Sequence, residues 1–172
     1  QVPNSDQHFV QLVPGGGTYT VRFQRVSGTA ASTTARVTIQ RRTDPATSQF
    51  SQLDLNVFLL PGITPTAATA STDGSLQAML TFADNVLRQQ GIALGAITYY
   101  DIEDEGLDDV NSVEDLGALL QTSAMATTSR LNVYVVAHPV FGLAGVSAEI
   151  GGPVAKGTSK SGVLVRYQSA PL

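Results

Sequence analysis

Apolar and polar residues alternate with a period of two over residues 8 to 42, the pattern of strands that bury one face. Phe9 to Val13 opens the series, Tyr19, Val21 and Phe23 alternate with Thr20 and Arg22, and Ala35 to Gln40 repeats the pattern. Pro14-Gly15-Gly16-Gly17 and Ser27-Gly28-Thr29 supply turns between them. Residues 1–48 therefore read as a β-strand segment, with a short antiparallel β-meander over 8–42. Such a meander is marginal alone, so the rest of this chain or residues upstream of Gln1 must cover its apolar face. Residues 43 to 52 are polar, contain Pro45 and lack periodicity, which reads as a linker into a second unit spanning residues 49–172.

That second unit opens with Leu53 to Leu60, a run that becomes continuously apolar, as in a strand covered on both faces. Pro61-Gly62 ends it. Leu76, Met79, Leu80, Ala83, Val86 and Leu87 then fall on one stripe of a helix over 75–90, capped by Asp73 or Ser75 and closed at Gly91. Ile92 to Tyr100 reads as the next strand, and a strand-helix-strand unit of this kind places its two strands in parallel. Ser112-Val113-Glu114-Asp115 can box the start of a short helix through Gln121. Leu131 to Val136 resembles Leu55 to Leu59 in pattern, as neighbouring core strands would, and Ser161 to Tyr167 makes the last strand after a Gly-rich passage with one weak extended run. The predicted class is α/β (α+β): the meander, then a mixed, mainly parallel sheet with strands 53–60, 92–100, 131–136 and 162–167 and one long packed helix.

Charged residues are only 14% of the 172, so Thr, Ser, Gln and Asn carry the polar surface, a bias common in exported bacterial proteins. A secreted, periplasmic or cell-surface location is expected. Net charge is −4 and the ten basic residues are scattered, which argues against a nucleic-acid partner. No apolar run reaches the roughly 20 residues of a membrane span. The absence of cysteine removes disulfides, thiolate nucleophiles and Cys-ligated zinc.

Catalytic chemistry is hard to place. His8 and His138 are 130 residues apart, whereas a zinc helix needs two imidazoles one turn apart with a glutamate between. His138, before Pro139, reads as a surface histidine at a strand end. No G-x-S-x-G elbow occurs, and Gly15-Gly16-Gly17 and Gly151-Gly152 lack the lysine and the strand-to-helix context of a phosphate loop. One constellation of hard oxygen ligands remains: Asp101, Glu103, Asp104, Glu105, Asp108 and Asp109. Its spacing does not match an EF-hand loop, so a solvated acidic loop competes with a weak calcium site.

Residues 53–167 resemble the N-terminal, upper subdomain of metzincin-type zinc metallopeptidases, pappalysin- and leishmanolysin-like sequences among them. The resemblance rests on Leu131-Asn132-Val133-Tyr134-Val135-Val136, then Gly142-Leu143-Ala144-Gly145, Gly152-Pro153 and Ser161-Gly162-Val163-Leu164-Val165. In the family an "LN(V/I)Y" strand is similarly followed by a "G-x-A" edge strand, a Pro-containing loop and a "(D/S)-G-V-V" strand, after which the zinc-binding helix comes. Residues 8–42 look like the closing strands of the small β-sandwich domains that accompany secreted bacterial peptidases. The H-E-x-x-H motif does not occur in the 172 residues, so no family ligand or catalytic residue can be assigned here.

The resemblance implies a fragment or scaffold half of an exported metallopeptidase-like protein, inactive and free of stoichiometric zinc as given. Zinc would belong only to a downstream H-E-x-x-H. Its role would be the upper wall of a peptide cleft, with Gly142, Leu143, Ala144, Gly145 and Val146 as the peptide-binding edge in a segment reaching Ile150. The expected partner is a protein or peptide, the remainder of a longer chain included. Two other readings compete. One is a cell-surface adhesion module of the von Willebrand A type, for which Asp54 lies at the wrong end of its strand; the other is a filament or coat subunit.

Overall fold

The computed structural model describes residues 51–107, 109–138, 140–147 and 156–168. The predicted meander at 8–42, the domain 1–48, Asp108 and Ala148 to Ala155 lie outside them. Among the described residues five strands and two α-helices follow one another as β1 (Ser51–Leu59), α1 (Gly74–Arg88), β2 (Ile92–Asp101), α2 (Val113–Gln121), β3 (Leu131–Val136), β4 (Gly145–Ser147) and β5 (Val163–Arg166). They form one sheet in the order β2-β1-β3-β5-β4. β1 pairs in parallel with β2 and β3, β3 pairs in parallel with β5, and only β4 runs antiparallel. The α/β class and the shared sheet are as the pattern predicts.

Boundaries moved where pattern is weakest. β1 begins at Ser51, inside the predicted linker, because the Ser51 N–H bonds the Gly91 carbonyl at 2.9 Å and ties the strand's start to that of β2. Helix α1 ends at Arg88, and its exit tightens to i→i−3 bonds, Gln90 N–H to the Leu87 carbonyl (2.9 Å) and Gly91 N–H to the Arg88 carbonyl (3.0 Å). Asp73 is its cap, accepting the Leu76 N–H at 2.8 Å. The Tyr167 hydroxyl donates to the same carboxylate oxygen at 3.0 Å, so the cap also ties α1 to the end of β5.

The helices cover opposite faces of the sheet. Leu76 of α1 packs with Leu55, Val57, Leu59 and Val135, while Leu116, Leu119 and Leu120 of α2 pack with Phe58, Leu60, Tyr134, Val136 and Leu164. The predicted stripe on α1 is only partly realised. Leu76 is buried, Met79, Leu80, Ala83 and Leu87 are half-buried, and Val86 is exposed. The helix packs over β2 and β1, and Leu131, Val133 and Val165 on the same sheet face are only half-buried among the described residues.

On the α2 side the twin Leu-Asn motifs have a shared purpose. Asn56 and Asn132 are cross-strand partners in register, both fully buried. The Asn56 amide donates to the Asn132 side-chain oxygen at 3.2 Å and to the Thr128 carbonyl at 2.9 Å, and the Asn132 amide donates to the Ser161 carbonyl at 3.3 Å. Two side chains thus fasten the segments leading into β3 and β5, compensating much of the cost of burying amides in a core.

Helix α2 starts with the predicted capping box. The Asp115 N–H donates to Ser112 Oγ at 3.0 Å, and the Asp115 carboxylate accepts the Ser112 N–H at 3.0 Å and the Asn111 N–H at 3.3 Å. The bond to Ser112 holds this carboxyl below its ordinary value near 3.8, outweighing the opposing effect of desolvation. A carboxyl whose folded value is lowered adds stability above its unfolded value and loses it as pH falls through the folded one. Asp115→Asn is therefore expected to flatten the acid limb of a melting-temperature profile below about pH 4. An unchanged limb in the variant would refute the box as a contributor.

Candidate functional site

In doubly wound sheets, ligands favour the crevice where the strand order reverses, here between the carboxyl ends of β1 and β3. There the two strand ends approach closely. The Leu60 N–H bonds the Val135 carbonyl at 3.1 Å, and Gly62 lies so near Ala137 that an added Cβ would sit 3.2 Å from its Cβ. His138, just beyond, is exposed, as its position before Pro139 suggests.

The described acidic residues at the end of β2 and after it point to separate partners. Asp101 Oδ1 accepts the Ala67 N–H at 2.7 Å and Asp104 Oδ1 accepts the Gly106 N–H at 3.0 Å, while Glu103, Glu105 and Asp109 are exposed. Among the described residues no group of three His, Cys, Asp or Glu could hold a metal ion. For calcium, at most roughly millimolar binding is expected, the range of weak extracellular sites. A calorimetric titration that gave a micromolar site at Asp101, Glu103 and Asp104 would overturn this. Asp54 is likewise engaged: it accepts the Ala96 N–H at 2.8 Å and lies 3.8 Å from Arg130, at the irregularity where β1 shifts register on β2.

The most distinctive exposed feature is the sheet's β4 edge. Gly142 and Leu143 belong to a tight turn, Ala144 follows it, and Gly145 and Val146 lie on the strand. The Arg166 N–H donates to the Ala144 carbonyl at 2.8 Å, and Gly145 is the residue opposite Val165. In an antiparallel ladder this makes Gly145 and Val165 a non-hydrogen-bonded pair, so Gly145 turns its own N–H and C=O away from β5, to the side where no further strand pairs among the described residues. Val146 packs inward against the α2-side core.

The turn before β4 carries a feature with no advance sign in the sequence. Val140 and Leu143 exchange both backbone bonds, at 2.9 and 3.2 Å, around Phe141 and Gly142 at φ 53° and 74°. This is a two-residue turn of type I′, which favours Asn-Gly; Phe141 is the only non-glycine at positive φ among the described residues. Phe141 and Leu143 are also exposed, at 44% and 54%.

No protein-family model matches the chain, and no curated protein is significantly similar to it. No helix among the described residues is long and apolar enough to cross a membrane.

Proposed function

We propose that this chain is the non-catalytic upper half of an exported, metzincin-like metallopeptidase scaffold, and that β4 forms one wall of a cleft for an extended peptide. The observation that carries the reading is the position of β4: a short strand at the sheet edge, between the Leu-Asn-Val-Tyr strand β3 and the Ser-Gly-Val-Leu-Val strand β5 in sequence, with the Gly145 backbone facing outward. The family resemblance assigns its edge strand to this place. A strand in that position can bind a peptide by β-augmentation, the main chain supplying affinity and alternate side chains supplying selectivity.

Export is supported by the low charge content, and the cleft partner would be a protein or peptide segment. The test is an NMR titration of the ¹⁵N-labelled chain with an unstructured decapeptide. Binding at the edge shifts the Gly145 amide and slows its hydrogen exchange, while the amides of β1 in the sheet centre stay unchanged. Peptide binding that leaves Gly145 unaffected, or no binding at millimolar peptide, refutes the reading.

A further inference from the structure

We infer that the apolar face of residues 19–40 of this same chain docks on the α1 side of the sheet, across the part of β3 and β5 that α1 leaves open, a contact that does not involve the β4 edge. The path of α1 creates the opening. The helix starts over the C-terminal ends of β3 and β5, where Leu76 packs with Val135 and Asp73 meets the Tyr167 hydroxyl. It runs toward the start of β2, where Asp84 Oδ1 accepts the Leu94 N–H at 2.7 Å. Leu131 and Val133 of β3 and Val165 of β5 face the same side and are only half-buried. Parallel sheets are normally covered on both faces.

The flank of α1 beside this surface is apolar as well. Gln77 and Asp84 turn toward β2, Gln77 Nε2 donating to the Tyr99 hydroxyl at 3.0 Å. Phe82 and Val86 lie two residues from Asp84, and Met79 two from Gln77, about 200° round the helix and so on the flank away from β2. That flank borders β3 and β5, because the strand order is β2-β1-β3-β5-β4. Phe82 and Val86 are 59% and 47% exposed. Helix flank and sheet face thus make one continuous apolar step.

The occupant follows from the sequence and from where the chain enters the sheet. Tyr19, Val21 and Phe23, then Val37 and Ile39, alternate with polar residues, so this segment has an apolar face that needs cover as much as the sheet does. The chain comes into β1 at Ser51, and Leu55 stands opposite Leu131 in a parallel pair, so it enters at the end of the sheet where Leu131 and Val133 lie. Residues 43–50 join the two parts. At full extension they reach roughly 26–29 Å, while β5 is two strand spacings, about 10 Å, from β1. A short tether also gives the segment an effective concentration on the order of millimolar at its own sheet, which favours it over a second copy.

The test uses the full 172-residue chain, which has no cysteine, so that Val86→Cys can carry a single nitroxide at an exposed position. In the ¹⁵N-labelled chain the nitroxide is expected to broaden the amides of 19–23 and 35–40 beyond detection, along with that of Val133, and reduction by ascorbate should restore them. The same label at Val113→Cys, exposed at the start of α2 on the opposite face, should leave residues 19–40 sharp. Sharp 19–40 amides in the Val86→Cys chain would overturn the inference. So would broadening in an equal mixture of ¹⁵N wild type and isotopically unlabelled nitroxide chain, which would assign the surface to a second copy. Val21→Asp combined with Ile39→Asp should release residues 19–40 from the Val86→Cys label while Val133 stays broadened. If residues 19–40 remain broadened in that variant, apolar contact does not hold them and the inference falls.

Discussion

Phe58→Ala is expected to lower the unfolding free energy by about 4 kcal/mol, a large share of the roughly 5–15 kcal/mol that holds a domain folded. Phe58 is fully buried near the C-terminal end of β1, with its ring stacked on Tyr134 at 4.8 Å and on Tyr100 at 5.1 Å. These three residues stand side by side in register on β3, β1 and β2. Truncation removes the ring's transfer energy and opens a cavity beneath α2 that the sheet cannot close, because each neighbouring ring belongs to a strand held by its own ladder. The stack itself contributes about 0.5–1.5 kcal/mol per pair beyond area. Phe58→Leu, which refills most of the volume, should cost about 1.5 kcal/mol. Urea denaturation followed by tyrosine fluorescence measures both. A loss under about 2 kcal/mol for the alanine variant would mean that the three rings are not packed as a unit.

Gly162→Ala should destabilise nearly as much, by about 3 kcal/mol, although it adds a single methyl group. Gly162 sits at φ 151°, where an added Cβ would approach Leu120 Cδ2 to 2.7 Å, Tyr134 Cε2 to 2.9 Å and the Asn132 carbonyl to 3.3 Å. Leu120 and Tyr134 are both fully buried, and the Tyr134 hydroxyl donates to the Leu120 carbonyl at 2.9 Å, so neither side chain can swing aside without losing contacts. Gly91→Ala is the control. Gly91 is at φ 72° with nothing within 4 Å of the added atom, so it should cost only the backbone term, about 1 kcal/mol. Equal losses for the two variants, measured as the urea midpoint at constant slope, would show that the close packing at Gly162 relaxes freely.

The same residues show why one half of the Ser-Gly-Val-Leu-Val motif was readable and the other was not. Apolar periodicity identifies Val163 to Val165 as a strand, since alternation is a local property. Nothing local reports that Gly162 must face Leu120 and Tyr134, forty-two and twenty-eight positions away in the chain. The acidic loop is similar. Six carboxylates in nine positions invite a metal site on the page of the sequence, but in the fold Asp101 turns to the Ala67 amide, Asp104 to the Gly106 amide, and the other described members are exposed.

What the sequence by itself determined is the series of elements and most of the pairing logic. The apolar run at 53–60 marked β1 as a strand covered on both faces, a cap at Asp73 or Ser75 and a box at Ser112 started the helices, and the strand-helix-strand spacing placed β1 and β2 in parallel, with Asp73 the cap observed. Each of these follows from interactions within a few residues or from the reach of a short connection. Tertiary structure alone decided that Asn56 and Asn132 share a hydrogen bond, that α1 leaves Val86 exposed, and that Phe141 is held at positive φ in the turn before β4. Those outcomes depend on which distant surfaces meet. Partnering, burial and strain are properties of the assembled neighbourhood, and a side chain's period along the chain carries no record of them.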